Sequence, residues 1–343
     1  MLSSPYPKVV QVVGSLGIGG AEQVAMAIAI GVRQRGWESI VVSATGHRNL
    51  AKNIAALQSN GVQVKIAPDN LIRKLYDAHQ MTREWRPDLI HVHTELPELL
   101  GMAMAMGSSK LVLVRTIHNH VRWPGHSLMR QMTDVYYRTR AYRQYACSAA
   151  AVWSNSPVIV NGVPWTNANP DKDRHLVSFV GRLEAQKNPA GVIEIVRRAR
   201  ASIPALHLRM LGGGRLMGTL RQAYRDSWIE WLGPRDDVAS HIAESQVVVF
   251  ASQYEGLPLV AIEALTQLTA VVAPAIPGFQ GLDWVTRYRT GDYEDGARKL
   301  LDVLRSSDVN DLMVKRDRHE SLYSRDAMVD QYLKQYQGML TMR

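Results

Sequence analysis

The sequence predicts an α/β protein of two doubly wound domains facing each other across a cleft. Three observations predict it. Short apolar runs alternate with amphipathic stretches of helical period almost from the start, the pattern of strands joined by crossover helices. The alternation is interrupted once, at residues 161–174 (NGVPWTNANPDKDR), a stretch with two prolines, three asparagines and no period, and then restarts. At 343 residues the chain is too long for one comfortable core and fits two domains of ordinary size.

In order, residues 8–14 (KVVQVVG) read as a strand, and 21–35 as a helix with its apolar side at Val24, Ile28 and Val32. Gly36 stops that helix, and SIVVSA (39–44) is the next strand. VQVKIA (62–67), a helix over 71–85, DLIHVH (88–93) and a helix through Met102 and Met106 follow. KLVLVRTIH (110–118), a long helix over 127–145 and VIVNG (158–162) complete the first domain. Strands joined by helices of this length imply parallel pairing with right-handed crossovers.

Beyond the linker come LVSFVG (176–181), a helix over 190–201, LHLRML (206–211), a helix to 226, IEWLG (229–233) and a helix from Asp237. Residues 247–265 (VVVFASQYEGLPLVAIEAL) then read as a buried strand, a polar turn and a helix with Pro258 at its first position, where a missing N–H costs nothing. A helix over 292–304 follows, and the last helix, 327–340, carries Met328, Tyr332, Tyr336 and Leu340 on one side and needs a surface to pack on. The expected boundaries are 1–163 for the first domain, 164–326 for the second, and 327–343 for a helix returning to the first.

The bulk numbers narrow the function. One cysteine, Cys147, leaves no internal disulfide and no thiol-rich metal site. No signal peptide is visible, and no apolar run approaches the roughly 18 residues of a membrane span, so a cytoplasmic protein is expected, peripheral to the inner membrane face if it meets lipid at all. The net charge of +9 suits an anionic membrane surface or a phosphorylated small substrate. Nucleic acid ranks last, because no zinc-finger spacing or aromatic-basic RNA motif accompanies the charge.

Ligands of open α/β sheets bind beyond the carboxyl ends of the strands, so the strand-to-helix turns hold the candidates. Gly14, Gly17, Gly19 and Gly20 crowd the first turn, yet no choice among them gives the G-x-G-x-x-G offsets of a dinucleotide fingerprint. Either a ligand approaches that backbone or the turn is merely flexible. His91 and His93 share one face of a strand, and no third ligand at suitable spacing supports a metal. His93 and His118, both at strand ends, are the better site candidates; the alternative is structural histidines.

Between Arg122 and Arg143 lie five arginines and one aspartate, interleaved with Trp123, Tyr136, Tyr137 and Tyr142. That stretch is either a solvated basic helix or a contact for anionic lipid. Arg182 and Lys187, just past the first strand of the second domain, form a cation pair suited to a diphosphate. Gly212, Gly213 and Gly214 end the next strand and would let a ligand ring approach the backbone. Asp171 and Asp173 form a D-x-D in the linker, away from any strand end, and read as solvated charge. Glu255 and Glu263 sit beside a helix start that favours anions, so sugar hydroxyls are their natural partners.

Taken together, these motifs resemble the retaining GT-B glycosyltransferases of family 4, which carry an E-x7-E signature. Glu255 and Glu263 match its spacing within YEGLPLVAIEAL; GRLEAQKN (181–188), LGPRDDV (232–238), SLGIGGAE (15–22) and NGV (161–163) resemble further family segments in the family's order. The resemblance implies two Rossmann-like domains and transfer of a hexose-type sugar, without a metal or other cofactor, from a nucleotide-diphosphate donor of UDP or GDP type. The acceptor would be a glycan, a lipid or a small molecule.

Residue by residue, it implies that Arg182 and Lys187 bind the diphosphate, Glu263 the ribose and Glu255 the transferred sugar. Gly256, Leu257, Leu259 and Val260 would add backbone to the donor site together with Gly213. His118 would contact the sugar near the reacting carbon. Gly17, Gly19 and Gly20 would lie near the donor phosphates or the acceptor, with His93 and Asn119 on the acceptor side.

The chain departs from the family at residues 266–269 (TQLT), where a glycine-containing turn is usual, and at the short stretch 277–284 (PGFQGLDW). Competing expectations are a GT-B-like epimerase or phosphorylase, a nucleotide-sugar-binding subunit that has lost transfer, and a nicotinamide dehydrogenase, which the glycine offsets disfavour.

Overall fold

The computed structural model describes residues 6–17, 19–47, 49–108, 110–118, 127–139, 142–147, 157–166 and 171–342. The chain forms two compact units, Met1–Gly162 with Arg325–Arg343, and Val163–Ser324.

In the first unit the order is β1 (Lys8–Val13), α1 (Gly20–Gln34), β2 (Glu38–Ser43), α2 (Ala51–Ser59), β3 (Gln63–Ile66), α3 (Leu71–Trp85), β4 (Leu89–His93), α4 (Glu95–Ala105), β5 (Val112–Ile117), α5 (Ser127–Thr139) and β6 (Tyr142–Ala146). All pairings are parallel, in the order β3-β2-β1-β4-β5-β6. The second unit runs β7 (Asp173–Val180), α6 (Pro189–Ala199), β8 (His207–Leu211), α7 (Met217–Ala223), β9 (Ile229–Gly233), α8 (Val238–Glu244), β10 (Ser245–Val249), α9 (Leu259–Thr266), β11 (Ala270–Pro274), β12 (Val285–Tyr288), α10 (Tyr293–Ser306) and α11 (Val309–Tyr323). Its parallel order, β12-β11-β10-β7-β8-β9, is the same topology met from the other edge. Helix α12 (Arg325–Thr341) closes the chain and belongs to the first unit. Each sheet is doubly wound, with winding reversed between β1 and β4 and between β7 and β10, the switch points where such sheets open a crevice.

The two faces of the first sheet differ in chemistry. Val10, Val12, Ile90, Val92 and Leu113 build an apolar core with Ala78, Leu100 and Met104. On the opposite face the register places Gln11 beside His91 and His93 beside Thr116, all buried. Tyr332 and Tyr336 of α12 hydrogen-bond to Thr116 and His91 on this face. Helix α12 lies close against α1: a Cβ on Gly31 would stand 2.4 Å from Val329 Cγ1.

Several elements differ from the expectation. The helix expected to run to residue 145 ends at Thr139, and a sixth strand, β6, follows it. Tyr142 and Tyr145 fit a helical step, but pairing with β5 decides the matter: the Arg115 Nε–H donates to Gln144 Oε1 (2.6 Å) and Tyr145 is buried. The VIVNG segment, expected as a strand, makes only an isolated bridge between Ala146 and Val158. Pro258 is the N-cap of α9 rather than its first helical residue. Asp171 and Asp173 of the D-x-D are exposed, in line with solvated charge, whereas Lys172 between them donates to Ala243 O (2.7 Å) and Thr269 Oγ1 (2.8 Å), and burial pulls its pKa down to about 8.

The turn after α9 explains the departure at 266–269. Leu268 holds φ at 52°, the left-handed region in which a glycine is comfortable. A leucine there costs about 1–2 kcal/mol, but the residue is only 2% exposed. Burial of such a side chain contributes about 1.5–3 kcal/mol, so it offsets the strain.

Candidate functional site

In the second unit the switch point gathers the turns after β7 and β10. The first turn crosses residues 181–188, with a short 3-10 segment, Ala185–Lys187, before Asn188 caps α6 by accepting from Gly191 N–H (3.2 Å). The second turn carries Glu255. Lys187 Nζ donates to Glu255 Oε1 at 2.6 Å, with the carboxylate side chain 6% exposed and the lysine 19%. Arg182 is exposed, its Nη2 donating to Gln186 Oε1 (3.1 Å). Gln186 also donates to Tyr254 O (3.1 Å) and accepts from Gln253 N–H (2.8 Å). Gln186 therefore fastens the two turns together; it lies inside GRLEAQKN, where neither its residue type nor its spacing singles it out.

Glu255 is braced from behind. A Cβ on Gly278 would fall 2.5 Å from Glu255 Cβ and 2.7 Å from its carbonyl oxygen, so only glycine lets the Pro277–Phe279 turn seat there. Phe279 stacks edge-on against Phe250 (centroids 5.1 Å), and Trp284 Nε1–H donates to Ala261 O (3.0 Å). The short stretch 277–284 thus supports the carboxylate turn and α9. Glu263 sits half-buried on α9, whose first turn follows Gly256, Leu257 and Pro258; Leu259 and Val260 open the helix.

The three glycines after β8 serve the protein backbone. A Cβ on Gly212 would lie 1.9 Å from Gly181 O, and one on Gly214 2.5 Å from Leu183 O. A Cβ on Gly213 would press Pro234 Cγ at 3.0 Å, and its carbonyl accepts from Leu183 N–H (2.9 Å). The missing side chains let the Arg182 turn lie directly on this loop.

In the first unit, the glycine turn is pinned at both sides. Asn53 Nδ2 donates to Leu16 O and Gly17 O (2.9 Å each), and Asn49 Oδ1 accepts from Leu16 N–H (2.6 Å). Gly19 is the N-cap of α1 and Gly20 its first residue; a Cβ on Gly19 would collide with the Glu22 carboxylate at 2.1 Å. That carboxylate lies over the start of α1, where its charge complements the helix dipole.

His93 Nδ1 and His118 Nε2 approach to 3.0 Å, while His93 Nε2 meets Gln11 Oε1 at 2.8 Å. Burial lowers the pKa of His91 and His93 well below the usual imidazole value and brings His118 down to about 4, so all three are neutral near pH 7. Asn119, the other acceptor-side candidate, lies outside the described residues. Thr94, which follows His93, has φ 74° and ψ −179°, a conformation tolerated almost only by glycine. A β-branched residue held there marks the turn as constrained, and no sequence signal announces it. Among the described residues no group of three His, Cys, Asp or Glu is placed to hold a metal ion.

The family model Glycosyltransferase Family 4 matches residues 18–163, and Glycosyl transferases group 1 matches residues 174–306. The chain is a GT-B-fold relative of these glycosyltransferases. Solved structures agree on the fold of this glycosyltransferase relative. An Anabaena HepE structure in complex with UDP and glucose superposes with a TM-score of 0.82, covering 97% of this chain and 100% of that one at 17% identity. Sucrose-phosphate synthase from Thermosynechococcus elongatus gives 0.79, covering 98% and 100% at 16% identity.

Among curated proteins, the Escherichia coli UDP-Gal:alpha-D-GlcNAc-diphosphoundecaprenol alpha-1,3-galactosyltransferase is 23% identical over 56% of this chain and 59% of its own length. A Mycobacterium tuberculosis glycogen synthase is 26% identical over 57% of this chain and 54% of its own. The chain thus spans little more than half the length of the curated relatives it matches.

Proposed function

We propose that the protein is a retaining glycosyltransferase that moves a hexose-type sugar from a nucleotide diphosphate, of UDP or GDP type, to a glycan, lipid or small-molecule acceptor. The observation that carries the reading is the assembly after β7 and β10: a lysine, an arginine and a braced carboxylate beside a helix start, at the switch point of a doubly wound sheet. Breaking the sugar–phosphate bond leaves negative charge on the diphosphate. Arg182, Lys187 and the amides opening α9 are assigned to it, a fixed positive field in the place where other enzymes use a metal. Glu263 is assigned to the ribose hydroxyls and Glu255 to those of the transferred sugar.

In this scheme Glu255 is no nucleophile. It is ion-paired to Lys187, and retention follows if the acceptor enters on the leaving-group face and the donor phosphate takes its proton. Within the first domain, residues 1–163, His118 is assigned to the transferred sugar and His93 to the acceptor side. The Glu22 carboxylate over Gly19 favours a hydroxyl-bearing ligand over a phosphate at the glycine turn. The second domain, 164–326, is assigned to the donor.

A melting panel tests the reading. UDP or GDP at about 100 times its dissociation constant should stabilise the protein by about 2.7 kcal/mol, and NAD should not. A shift with NAD alone would overturn it.

We also assign a lipid contact to part of the stretch between Arg122 and Arg143. On α5, Leu128, Met132 and Val135 are 67%, 50% and 61% exposed, and their spacing puts them on one face of a helix that also carries Arg130. Arg122, Trp123 and Arg140 lie outside the described residues. Among the described residues no helix is long and apolar enough to cross a membrane. Anionic liposomes should sediment the protein at low salt and release part of it at high salt, whereas Met132→Glu should reduce sedimentation. Equal sedimentation of both proteins would remove the assignment.

A further inference from the structure

The buried polar face of the first sheet is one continuous hydrogen-bonded chain. It begins at His118, whose Nδ1 lies 3.5 Å from Asn161 Nδ2 and whose Nε2 lies 3.0 Å from His93 Nδ1. His93 Nε2 meets Gln11 Oε1 at 2.8 Å, and Gln11 Nε2 meets the Tyr336 hydroxyl at 3.3 Å. The Tyr336 hydroxyl meets His91 Nδ1 at 2.6 Å, His91 Nε2 meets Thr116 Oγ1 at 2.7 Å, and Thr116 Oγ1 meets the Tyr332 hydroxyl at 2.8 Å. Every side chain from His93 to Tyr332 along this path is buried.

Donor and acceptor balance orders the chain. A neutral imidazole has one N–H and one lone pair, and a side-chain amide has distinct donor and acceptor ends. With the Gln11 amide set with its oxygen toward His93 and its nitrogen toward Tyr336, Oε1 can only accept, so His93 donates from Nε2 and is left with a lone pair on Nδ1. His118 must then donate from Nε2, leaving its own Nδ1 with the lone pair toward the Asn161 amide. On the other side Gln11 Nε2 can only donate, so Tyr336 accepts from it and donates to His91 Nδ1, and His91 Nε2–H donates to Thr116. Each bond fixes the next, and reversing one link requires reversing all of them, because a buried N–H facing another N–H is costly.

We infer that Gln11, His93 and Tyr336 are positioning residues that hold His118 as the Nε2–H tautomer, so that the C-terminal helix α12 sets the hydrogen-bonding character of a residue more than two hundred positions earlier in the chain (His118 to Tyr336). A ring held this way has an acceptor at Nδ1 that the Asn161 amide meets only at 3.5 Å, and a substrate hydroxyl would take that amide's place. That last step rests on the assignment of His118 to the transferred sugar; the tautomer itself does not.

Two readouts separate these. In protein labelled with 15N-histidine, long-range 1H–15N spectra of the wild type should show His118 neutral and protonated on Nε2 at pH 7.5. Protonation on Nδ1 would overturn the inference without any variant being made. Gln11→Met and Tyr336→Phe should each turn the single His118 tautomer into a mixture, and an unchanged His118 signal in folded Gln11→Met would also overturn it. In transfer assays Tyr336→Phe should lower kcat about tenfold, the worth of one hydrogen bond, with the donor KM little changed. Tautomers that behave as expected in a protein without transfer activity would sink the transferase reading and leave the positioning chain intact.

Discussion

Lys187→Ala and Glu255→Ala are each expected to slow transfer by a hundredfold or more, and the two should part company in stability. The activity loss follows from the proposed chemistry, since removing one group aimed at the charge that develops on the leaving group or the sugar typically costs about 10²–10³ in rate. The stability difference follows from burial. Glu255 is 6% exposed and braced by Gly278, so without Lys187 its charge has nowhere to turn, and breaking a buried pair in this way costs about 3–5 kcal/mol. Lys187 is 19% exposed on a long flexible stem, so without Glu255 its ammonium can reach water, and the loss should be smaller. The double variant should therefore melt above Lys187→Ala while remaining as inactive as either single one. Urea melts of the three variants, beside initial-rate assays with the donor found in the melting panel, check both halves. A double variant less stable than Lys187→Ala would show that the pair is not coupled in this way.

Much of this was legible in the residues. Valine-rich runs such as KVVQVV and QVVVF announce parallel strands buried on both sides, and helical spacing in between announces the crossovers. The spacing of Glu255 and Glu263 and the cations of GRLEAQKN named the donor-site candidates. What stayed hidden was pairwise. Lys187 and Glu255 are 68 positions apart, and nothing local says that one neutralises the other. Tyr332 and Tyr336 were legible as the buried stripe of α12, but the same spacing serves apolar packing and hydroxyl delivery alike. The signal for the second use was Gln11, a polar side chain inside a strand that is otherwise apolar and buried, which demands a partner. Strand β6 was lost because its tyrosines continue the period of α5, and only its pairing with β5 separates the two. Leu268 and Thr94 were invisible because backbone strain leaves no mark on composition.

The same histidine chain makes the first unit acid-sensitive, and the expected effect is large. In the unfolded chain His91, His93 and His118 take up protons near pH 6.5. In the folded protein, burial first, and for His91 and His93 the neighbouring imidazoles next, hold them neutral to much lower pH, down to about 4 for His118. Their nearest partners, Gln11, Thr116, Tyr336 and Asn161, carry no charge that would favour an imidazolium. Between those limits the unfolded state binds more protons, so the stability these residues allow is complete above pH 6.5 and is lost as the pH falls. Each histidine can contribute a slope of up to about 1.4 kcal/mol per pH unit, and three together about 4 kcal/mol, against a total stability of about 5–15 kcal/mol for a typical domain. The window from pH 6.5 to 5 is clean, because the displaced carboxylates Glu184, Glu194, Asp237 and Asp295 all have lowered pKa values and titrate below it. All four belong to the second unit. Calorimetry across that window should show one transition falling steeply with acid while another barely moves. His91→Gln, which keeps a donor and an acceptor but cannot take up a proton at this pH, should flatten the falling transition by about a third. Melting that stays level from pH 6.5 to 5 would mean that the imidazoles are open to protonation in the folded state, and the neutral, one-directional chain would then be confined to higher pH.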